Sequence, residues 1–362
     1  MIKKNYKVGI IGATGMVGQR LILLLANHPW FQINVLAASK RSAGKTYEQA
    51  VKNRWLMTEE IPSQVKAMEV LSADNIDEIK TRVDFIFCAV NMGKEEIAEL
   101  EEAYARAEIP VVSNNSAHRW TKDVPMIIPE LNSDHLALID SQKIRLGTKK
   151  GFIVVKPNCS IQSYAPALYA LREYGPKRVV ATTYQAISGS GKNFETWPEM
   201  IENIIPYIPG EEEKSEKEPL RIFGKVENGE IICAQLPVIS TQCVRVPVLD
   251  GHTAAVFVDF EIKPTKEDIL RCWKEFKGIP QLKHLPLAPE QFLDYQEDEN
   301  RPQVKLDVDA GCGMTISLGR LREDNIFDYK FIGLSHNTLR GAAGGSVLTA
   351  ELLCAEGFFD IE

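Results

Sequence analysis

The stretch "KVGIIGATGMVGQRLILLLANHP", residues 7–29, decides the fold. It opens as an apolar strand, passes through Gly12, Gly15 and Gly18, and continues as an apolar helix that ends near His28-Pro29. Glycines let such a turn tighten and let backbone N–H groups approach a pyrophosphate, which then rests on the helix N-terminus. The candidate dinucleotide contacts are therefore Gly12, Thr14, Gly15, Met16, Val17 and Gly18. A glycine pattern alone also fits a βα turn with no ligand, and it is the strand-turn-helix context that favours a dinucleotide.

Working outward, "FQINVLAAS", "VDFIFCAV" (83–90) and "IPVVSNN" (109–115) read as further short strands, with "KEEIAELEEAYARAE" as an amphipathic helix between the last two. Strands alternating with helices predict a parallel sheet built from βαβ crossovers. Beyond residue 160 the rhythm changes. "KRVVATTYQAIS", "STQCVRVPV", "HTAAVFVDFEI", "GMTISLGRL" and "DYKFIGLSH" are longer strands with fewer helices, which predicts an antiparallel sheet carrying helices on one face. The final "GAAGGSVLTAELLCAEGF" reads as a helix able to pack back on the first unit. The charge run "GEEEKSEKEPLR" (210–221) reads as a solvated loop and helix start.

Composition excludes several classes. With 362 residues the chain is long enough for two domains. Its net charge of -7, from 42 basic and 49 acidic residues, and its lack of a basic stripe argue against nucleic-acid binding. No apolar stretch has the length of a membrane span, and the apolar run near the start is too short for a secretory signal. The cysteines, at positions 88, 159, 233, 243, 272, 312 and 354, are odd in number and include no CxxC. Neither a disulfide framework nor a metal site is expected, and reduced thiols point to a cytoplasmic protein.

The end of the second strand bears on the choice of dinucleotide. An acidic residue there would hold the ribose 2′-hydroxyl of NAD. The sequence instead reads "AASKRSAGK", with Ser39, Lys40, Arg41 and Ser42, and no acid before Glu48. Guanidinium and hydroxyl groups donate to phosphate oxygens, so the loop favours the 2′-phosphate of NADP. An exposed basic loop with no ligand is the plainer alternative.

"VVKPNCSIQSYAPAL", residues 154–168, raises the question of chemistry. Cys159 follows Pro-Asn at the mouth of a helix-like pattern, where the dipole would lower its pKa. On local sequence alone a buried structural cysteine fits equally well. A nucleophile needs a proton carrier. Of the six histidines, His28 looks structural, His118, His135 and His284 lie in polar or loop contexts, and His336 is ambiguous. His252, after an Asp-Gly turn and at the start of a strand, has a rigid perch suited to a general acid/base.

Taken in order, "GIIGATGMVGQR", "ASKRSAGK", "PNCS", "QAISGSGK", "EEEKSEKEPL", "RVPVLDGHT", "NRPQ" and "HNTLRGAAGGSVLTAE" resemble the aspartate-β-semialdehyde dehydrogenase family, its archaeal and fungal branch most of all. The resemblance runs from about residue 7 to about residue 355. It implies an α/β fold: a Rossmann-type NADP-binding domain over 1–157, on which a C-terminal helix, 338–362, packs back, and an α+β catalytic and dimerisation domain over 158–337, of the glyceraldehyde-3-phosphate-dehydrogenase-like kind. Cys159 would be the nucleophile, His252 the acid/base, and Gln185 the group that orients the acyl intermediate. Arg245 would hold the substrate α-carboxylate, Glu211 its amino group, and Lys214 and Arg119 its phosphate. Asn158 would line the cysteine, and Ser188, Gly189 and Asn337 the nicotinamide region.

These residue types suit an ammonium, a carboxylate and a phosphate on one small substrate, aspartyl-4-phosphate. The implied activity is its NADPH-dependent reduction to aspartate semialdehyde in lysine, threonine and methionine biosynthesis, by a homodimer or homotetramer. The competing readings are a sister acyl reductase, for malonyl-CoA or N-acetylglutamyl phosphate, and a catalytically silent NADP-binding sensor. Where the family often reads Cys-Ser-Thr-Thr, this chain has Cys-Ser-Ile-Gln, with the bulkier Ile161 and Gln162.

Overall fold

The computed structural model describes residues 5–359. The outermost residues of the 1–157 and 338–362 segments, 1–4 and 360–362, lie outside the described residues. The first sheet contains β1 (Tyr6–Ile11), β2 (Phe31–Ala38), β3 (Val70–Ser72), β4 (Phe85–Cys88), β5 (Val111–Ser113) and β6 (Ile153–Val155). Its order is β3-β2-β1-β4-β5-β6 and every pairing is parallel. The strands are short and almost wholly buried, as expected of a sheet covered on both faces. The strand order reverses between β1 and β4, where open parallel sheets bind ligands. Gly12 lies at that point. Its φ is +91°, and a Cβ on it would stand 2.3 Å from the Ala89 carbonyl oxygen just after β4.

The second sheet contains β7 (Pro176–Gln185), β10 (Val238–Arg245), β11 (His252–Phe260), β12 (Leu293–Gln296), β13 (Ile316–Glu323) and β14 (Tyr329–Ser335). The small hairpin β8 (Lys225–Glu227) and β9 (Glu230–Ile232) stands apart. The larger sheet has the order β10-β7-β11-β14-β13-β12. It is mixed rather than antiparallel, because β10 pairs parallel with β7 and β12 pairs parallel with β13. Long connections make those pairings possible: the helix Glu211–Ile222 lies between β7 and β10, so β10 returns in the same direction as β7. Period-two alternation could not reveal strand direction.

This topology gathers chemistry at one end of the sheet. Gln185 ends β7, Arg245 ends β10 opposite it, and His252 begins β11. Because β11 runs antiparallel to β7 and β14, His252 stands opposite Ser335, two residues before Asn337. The charge run 210–221, expected as loop and helix start, is a helix across nearly its whole length, Glu211–Ile222. The last segment forms a π-turn, Leu339–Ala343, and then the helix Gly344–Ala355. Val347, Leu348 and Leu352 of that helix pack with Leu21 and Phe85 of the first unit. Among the described residues no helix is long and apolar enough to cross a membrane.

The two sheets share one buried cluster, which runs from Ile11 and Val111 to Val179 and Phe331 and includes Ile161 and Tyr164. The contact is tightest at Gly333 in β14, where a Cβ would stand 1.9 Å from the Ser163 carbonyl oxygen, a backbone atom that cannot swing aside. Gly333→Ala is therefore expected to lower unfolding stability by about 1–3 kcal/mol through overpacking. Urea denaturation measures this, and a variant as stable as the parent would contradict so close a packing.

Candidate active site

Cys159 follows β6 and is half-buried. The single helix expected behind it does not form. Ser160–Ser163 make one 3-10 turn, Tyr164 breaks the run at φ -143°, and Ala165–Tyr169 form a short helix. Pro166 has no N–H to continue a hydrogen-bond ladder from the preceding turn. One turn carries little aligned dipole. Accordingly, the thiol is not lowered as the sequence suggested: burial, aided by Glu211, pushes it up to about 11 in the free site, against the pull of Lys156, Arg119 and Arg245. Cations, not a helix end, oppose burial of the sulfur.

His252 is fully buried, with Nε2 3.4 Å from the Cys159 sulfur. The Ala186 N–H donates to Nδ1 at 3.0 Å, which leaves the hydrogen of the neutral ring on Nε2, facing the sulfur. Burial, aided by Arg245, pushes the imidazole down to about 3, so it is uncharged at neutral pH. Two glycines make room for this pair. A Cβ on Gly189 would stand 3.3 Å from His252 Nε2, and one on Gly341 would stand 2.7 Å from the Cys159 Cβ.

The helix Glu211–Ile222 closes the other side. Asn158 Nδ2 donates to both oxygens of Glu211 at 3.0 Å, Lys214 Nζ donates at 2.8 Å, and Gln185 Nε2 reaches the same carboxylate at 3.3 Å. Arg245 donates through Nη1 to the Ala186 carbonyl oxygen at 2.6 Å and forms no other side-chain hydrogen bond among the described residues, so most of its fork is uncommitted. Cys159, His252, Gln185, Asn158, Glu211 and Arg245 thus converge on one place. Arg119 lies one step further back. Its Nε donates to the Lys156 carbonyl oxygen at 3.0 Å and its Nη1 to Glu218 at 2.9 Å. It also lines, with Lys94, Ser116, Lys214, Lys217 and the carboxylates Glu213 and Glu218, a cavity of about 220 Å³.

Glu218 was missed in the sequence. Besides Arg119 it accepts the Asn158 backbone N–H at 2.5 Å and is buried. The signal was there in helical spacing, since Glu211, Ser215, Glu218 and Ile222 are the buried face of one helix. Pro219 sharpens the point. It cannot donate to the Ser215 carbonyl oxygen, which accepts instead from the buried Tyr164 hydroxyl. That bond ties the helix to the turn after the cysteine.

On the dinucleotide side, Gly12, Thr14, Gly15, Ser39, Lys40 and Arg41 line a cavity of about 530 Å³ at the strand-order reversal. Gly15 precedes the helix Met16–Leu25, which Met16 and Val17 open and which no side chain caps, so its first N–H groups are available to a pyrophosphate. Gly18 allows the helix to approach the turn: a Cβ there would stand 2.3 Å from the Gly12 carbonyl oxygen. Arg54, absent from the sequence reading, lines the same cavity and donates to the buried Ser42 hydroxyl at 3.4 Å. Lys40 pairs at the surface with Asp74, at 3.5 Å. Near the sulfur, Asn337 accepts the Gly251 N–H at 2.7 Å and donates to Ser188 at 2.8 Å, and Ser188 donates to Asp250. At the end of the first sheet both amide atoms of Asn114, just after β5, are buried without a partner. An uncapped helix at the reversal, a basic rim and an orphaned amide one strand further along the sheet fit a phosphorylated dinucleotide with a carboxamide.

The buried pair Arg119–Glu218 yields a stability test. Arg119→Met leaves the Glu218 carboxylate uncompensated and is expected to cost about 3–5 kcal/mol. Adding Glu218→Gln should recover part of that loss. Chemical denaturation of both variants reads the outcome, and a double variant less stable than the single would mean the two charges are not coupled.

The comparisons with known proteins point the same way. Residues 7–139 match the family described as "Semialdehyde dehydrogenase, NAD binding domain", and residues 167–340 match "Semialdehyde dehydrogenase, dimerisation domain". An aspartate-semialdehyde dehydrogenase of Archaeoglobus fulgidus is 42% identical over 355 residues, covering 97% of this chain and 99% of that protein. That of Candida albicans is 38% identical over 366 residues, covering 97% and 98%. The crystal structure of aspartate semialdehyde dehydrogenase with NADP from Candida albicans matches with a TM-score of 0.87 and 36% identity, over 98% of this chain and 100% of that one. The shared fold and the similarity over nearly the full length place this chain in the aspartate-semialdehyde dehydrogenase family.

Proposed function

We propose that this chain catalyses the reversible, NADPH-dependent reductive dephosphorylation of L-aspartyl-4-phosphate to L-aspartate-4-semialdehyde through a thioester on Cys159. The observation that carries this reading is the Cys159 sulfur, 3.4 Å from His252 Nε2, with a carboxylate, Glu211, and an uncommitted guanidinium, Arg245, beside it. A catalytically silent sensor would have no use for that grouping.

Arg245 takes the α-carboxylate bidentately, and Glu211 takes the ammonium. Lys214 and Arg119 face the phosphate. So held, the acyl carbon lies by the sulfur. The thiolate forms a C–S bond, and the C–O bond to phosphate breaks with its electron pair on phosphate. His252 Nε2–H donates to the oxygen on which negative charge develops, and the Gln185 amide orients the resulting acyl group. NADPH, held by the glycine turn, the first helix and the loop Ser39, Lys40, Arg41 and Ser42, supplies the hydride. Collapse of the thiohemiacetal then breaks the C–S bond and returns the thiolate. Ser188, Gly189 and Asn337 shape the space beside the sulfur where the nicotinamide would lie.

Glu211 favours a free ammonium over an acetylated amine or a malonyl group, which carries no amine at all, so it separates aspartyl phosphate from the substrates of the sister reductases. The division at 157/158, with 338–362 returning to the first unit, describes the proposed domains. The outer face of the second sheet exposes Val180, Tyr184 and Val238, and nearby loops expose Ile201, Ile204 and Tyr207. An apolar face of this kind suits a second copy of the chain, giving a homodimer or a pair of dimers. A cytoplasmic enzyme supplying lysine, threonine and methionine synthesis is the corresponding biological setting.

Phosphate-dependent NADP reduction with aspartate semialdehyde tests the assignment, against malonate semialdehyde plus CoA. Activity with the second pair alone would overturn it. Cys159→Ala should abolish turnover and leave NADPH binding unchanged, and a fully active variant would remove the nucleophile. Arg54→Ala should raise KM for NADPH about tenfold or more while leaving that for NADH little altered, as expected from losing a charge-assisted bond to the 2′-phosphate. Equal effects on both cofactors would place Arg54 outside phosphate recognition.

A further inference from the structure

Lys156 lies three residues before Cys159 and has no part in the mechanism above. It is 4% exposed. Its ammonium makes one hydrogen bond among the described residues, to the Pro157 carbonyl oxygen at 3.0 Å, and it forms no ion pair there. The other cations near it are matched: Arg119 pairs with Glu218 at 2.9 Å, and Arg340 pairs with both oxygens of Glu130. Of these three cations, Lys156 is the one with no carboxylate partner among the described residues.

The last helical segment shows where that charge lies. A Cβ on Gly341 would stand 2.7 Å from the Cys159 Cβ, and a Cβ on Gly345 would stand 2.8 Å from the Lys156 Cε. Gly341, in the π-turn, and Gly345, in the helix that continues it, are about one turn apart and so lie on one face. Lys156 and Cys159 therefore lie side by side along this face. The remaining charged groups contribute differently. Glu211 is itself an anion facing the sulfur, and Arg245, which lies with His252 against Gly189, draws the thiol down less than Lys156 does. His252 holds its hydrogen on Nε2 because Ala186 N–H occupies Nδ1, so the neutral ring offers the sulfur a donor and no full charge.

We propose that Lys156 is the positioning residue that sustains Cys159 as a thiolate, its unpaired ammonium serving as the counter-charge to sulfur. The proposal rests on Cys159 being the nucleophile. Each partner alone is disfavoured as an ion. Burial pushes the lysine down to about 7, with Arg119 and Arg340 adding to the fall and Cys159 and Glu218 opposing it. Burial likewise pushes the thiol up, and Lys156 is foremost among the groups that hold it back. Each draws the other part of the way back toward its charged form.

The test is the pH dependence of Cys159 alkylation by iodoacetamide, read by mass spectrometry of the Cys159 peptide, in the full-length protein with NADP binding as the control for folding. Removing a cation raises the pKa of a neighbouring acid, so Lys156→Met should shift the midpoint up by about one to three pH units. Alkylation at neutral pH should slow accordingly, by about tenfold or more, while Lys156→Arg keeps the midpoint of the parent. An unmoved midpoint in a Lys156→Met protein that binds NADP overturns the proposal. Should that variant not fold, the reciprocal measurement decides. In protein carrying ¹³Cε-lysine, the Lys156 resonance should titrate at lower pH in Cys159→Ser than in the parent, and identical titrations overturn the proposal. Neither readout requires turnover. Loss of the nucleophile assignment, shown by an active Cys159→Ala, is thus distinguishable from failure of the pairing.

Discussion

The Glu218 carboxylate accepts the backbone N–H of Asn158 with one oxygen and pairs with Arg119 through the other, and the placement of Cys159 depends on that buried contact. Asn158 precedes Cys159, so the backbone entering the cysteine is held from the helix Glu211–Ile222. The same helix reaches the turn after the cysteine through the Ser215 carbonyl oxygen and the Tyr164 hydroxyl. Its first turn supplies Glu211, to which Asn158 and Gln185 both donate. One amphipathic helix therefore braces the chain on both sides of the sulfur and contributes to the site. A buried carboxylate is tolerable only because each of its oxygens has a charged or N–H partner.

The site's electrostatics follow from its dryness. Burial alone would keep both the thiol and the imidazole uncharged. His252 can then act as a fixed N–H donor whose charge does not change across neutral pH. The ionised state of the sulfur is a matter for the cations around it. Glu211 and Arg245 stand near the sulfur as opposite charges, Glu211 already paired with Lys214 and Arg245 with most of its fork uncommitted.

Much of the first sheet was legible in the sequence because short apolar strands and a glycine turn report on local geometry. Residues 7–29 identify β1, the turn and the first helix without reference to anything distant. The second sheet was legible as strands but not as a topology. Its parallel pairings depend on where long connections return, which alternation does not encode. The helix-like pattern after Cys159 misled in a similar way, for Pro166 and Tyr164 divide it into two short pieces. Glu218 was readable in principle from its helical spacing to Glu211, yet a run of charges resembles a solvated surface until its buried face is known.

The sequence by itself determined the α/β class, the dinucleotide turn and the basic loop suited to a 2′-phosphate, and left Cys159 open between a structural and a reactive role. These rest on residue type and short-range spacing, which are local properties. Only the tertiary structure decided that His252 at the start of one strand, Gln185 and Arg245 at the ends of two others, and Glu211 on a separate helix meet at one sulfur. It also decided the charge states. Whether Cys159 or Lys156 is an ion depends on how much water and which charges surround it, and those surroundings are assembled from segments more than a hundred residues apart in the chain.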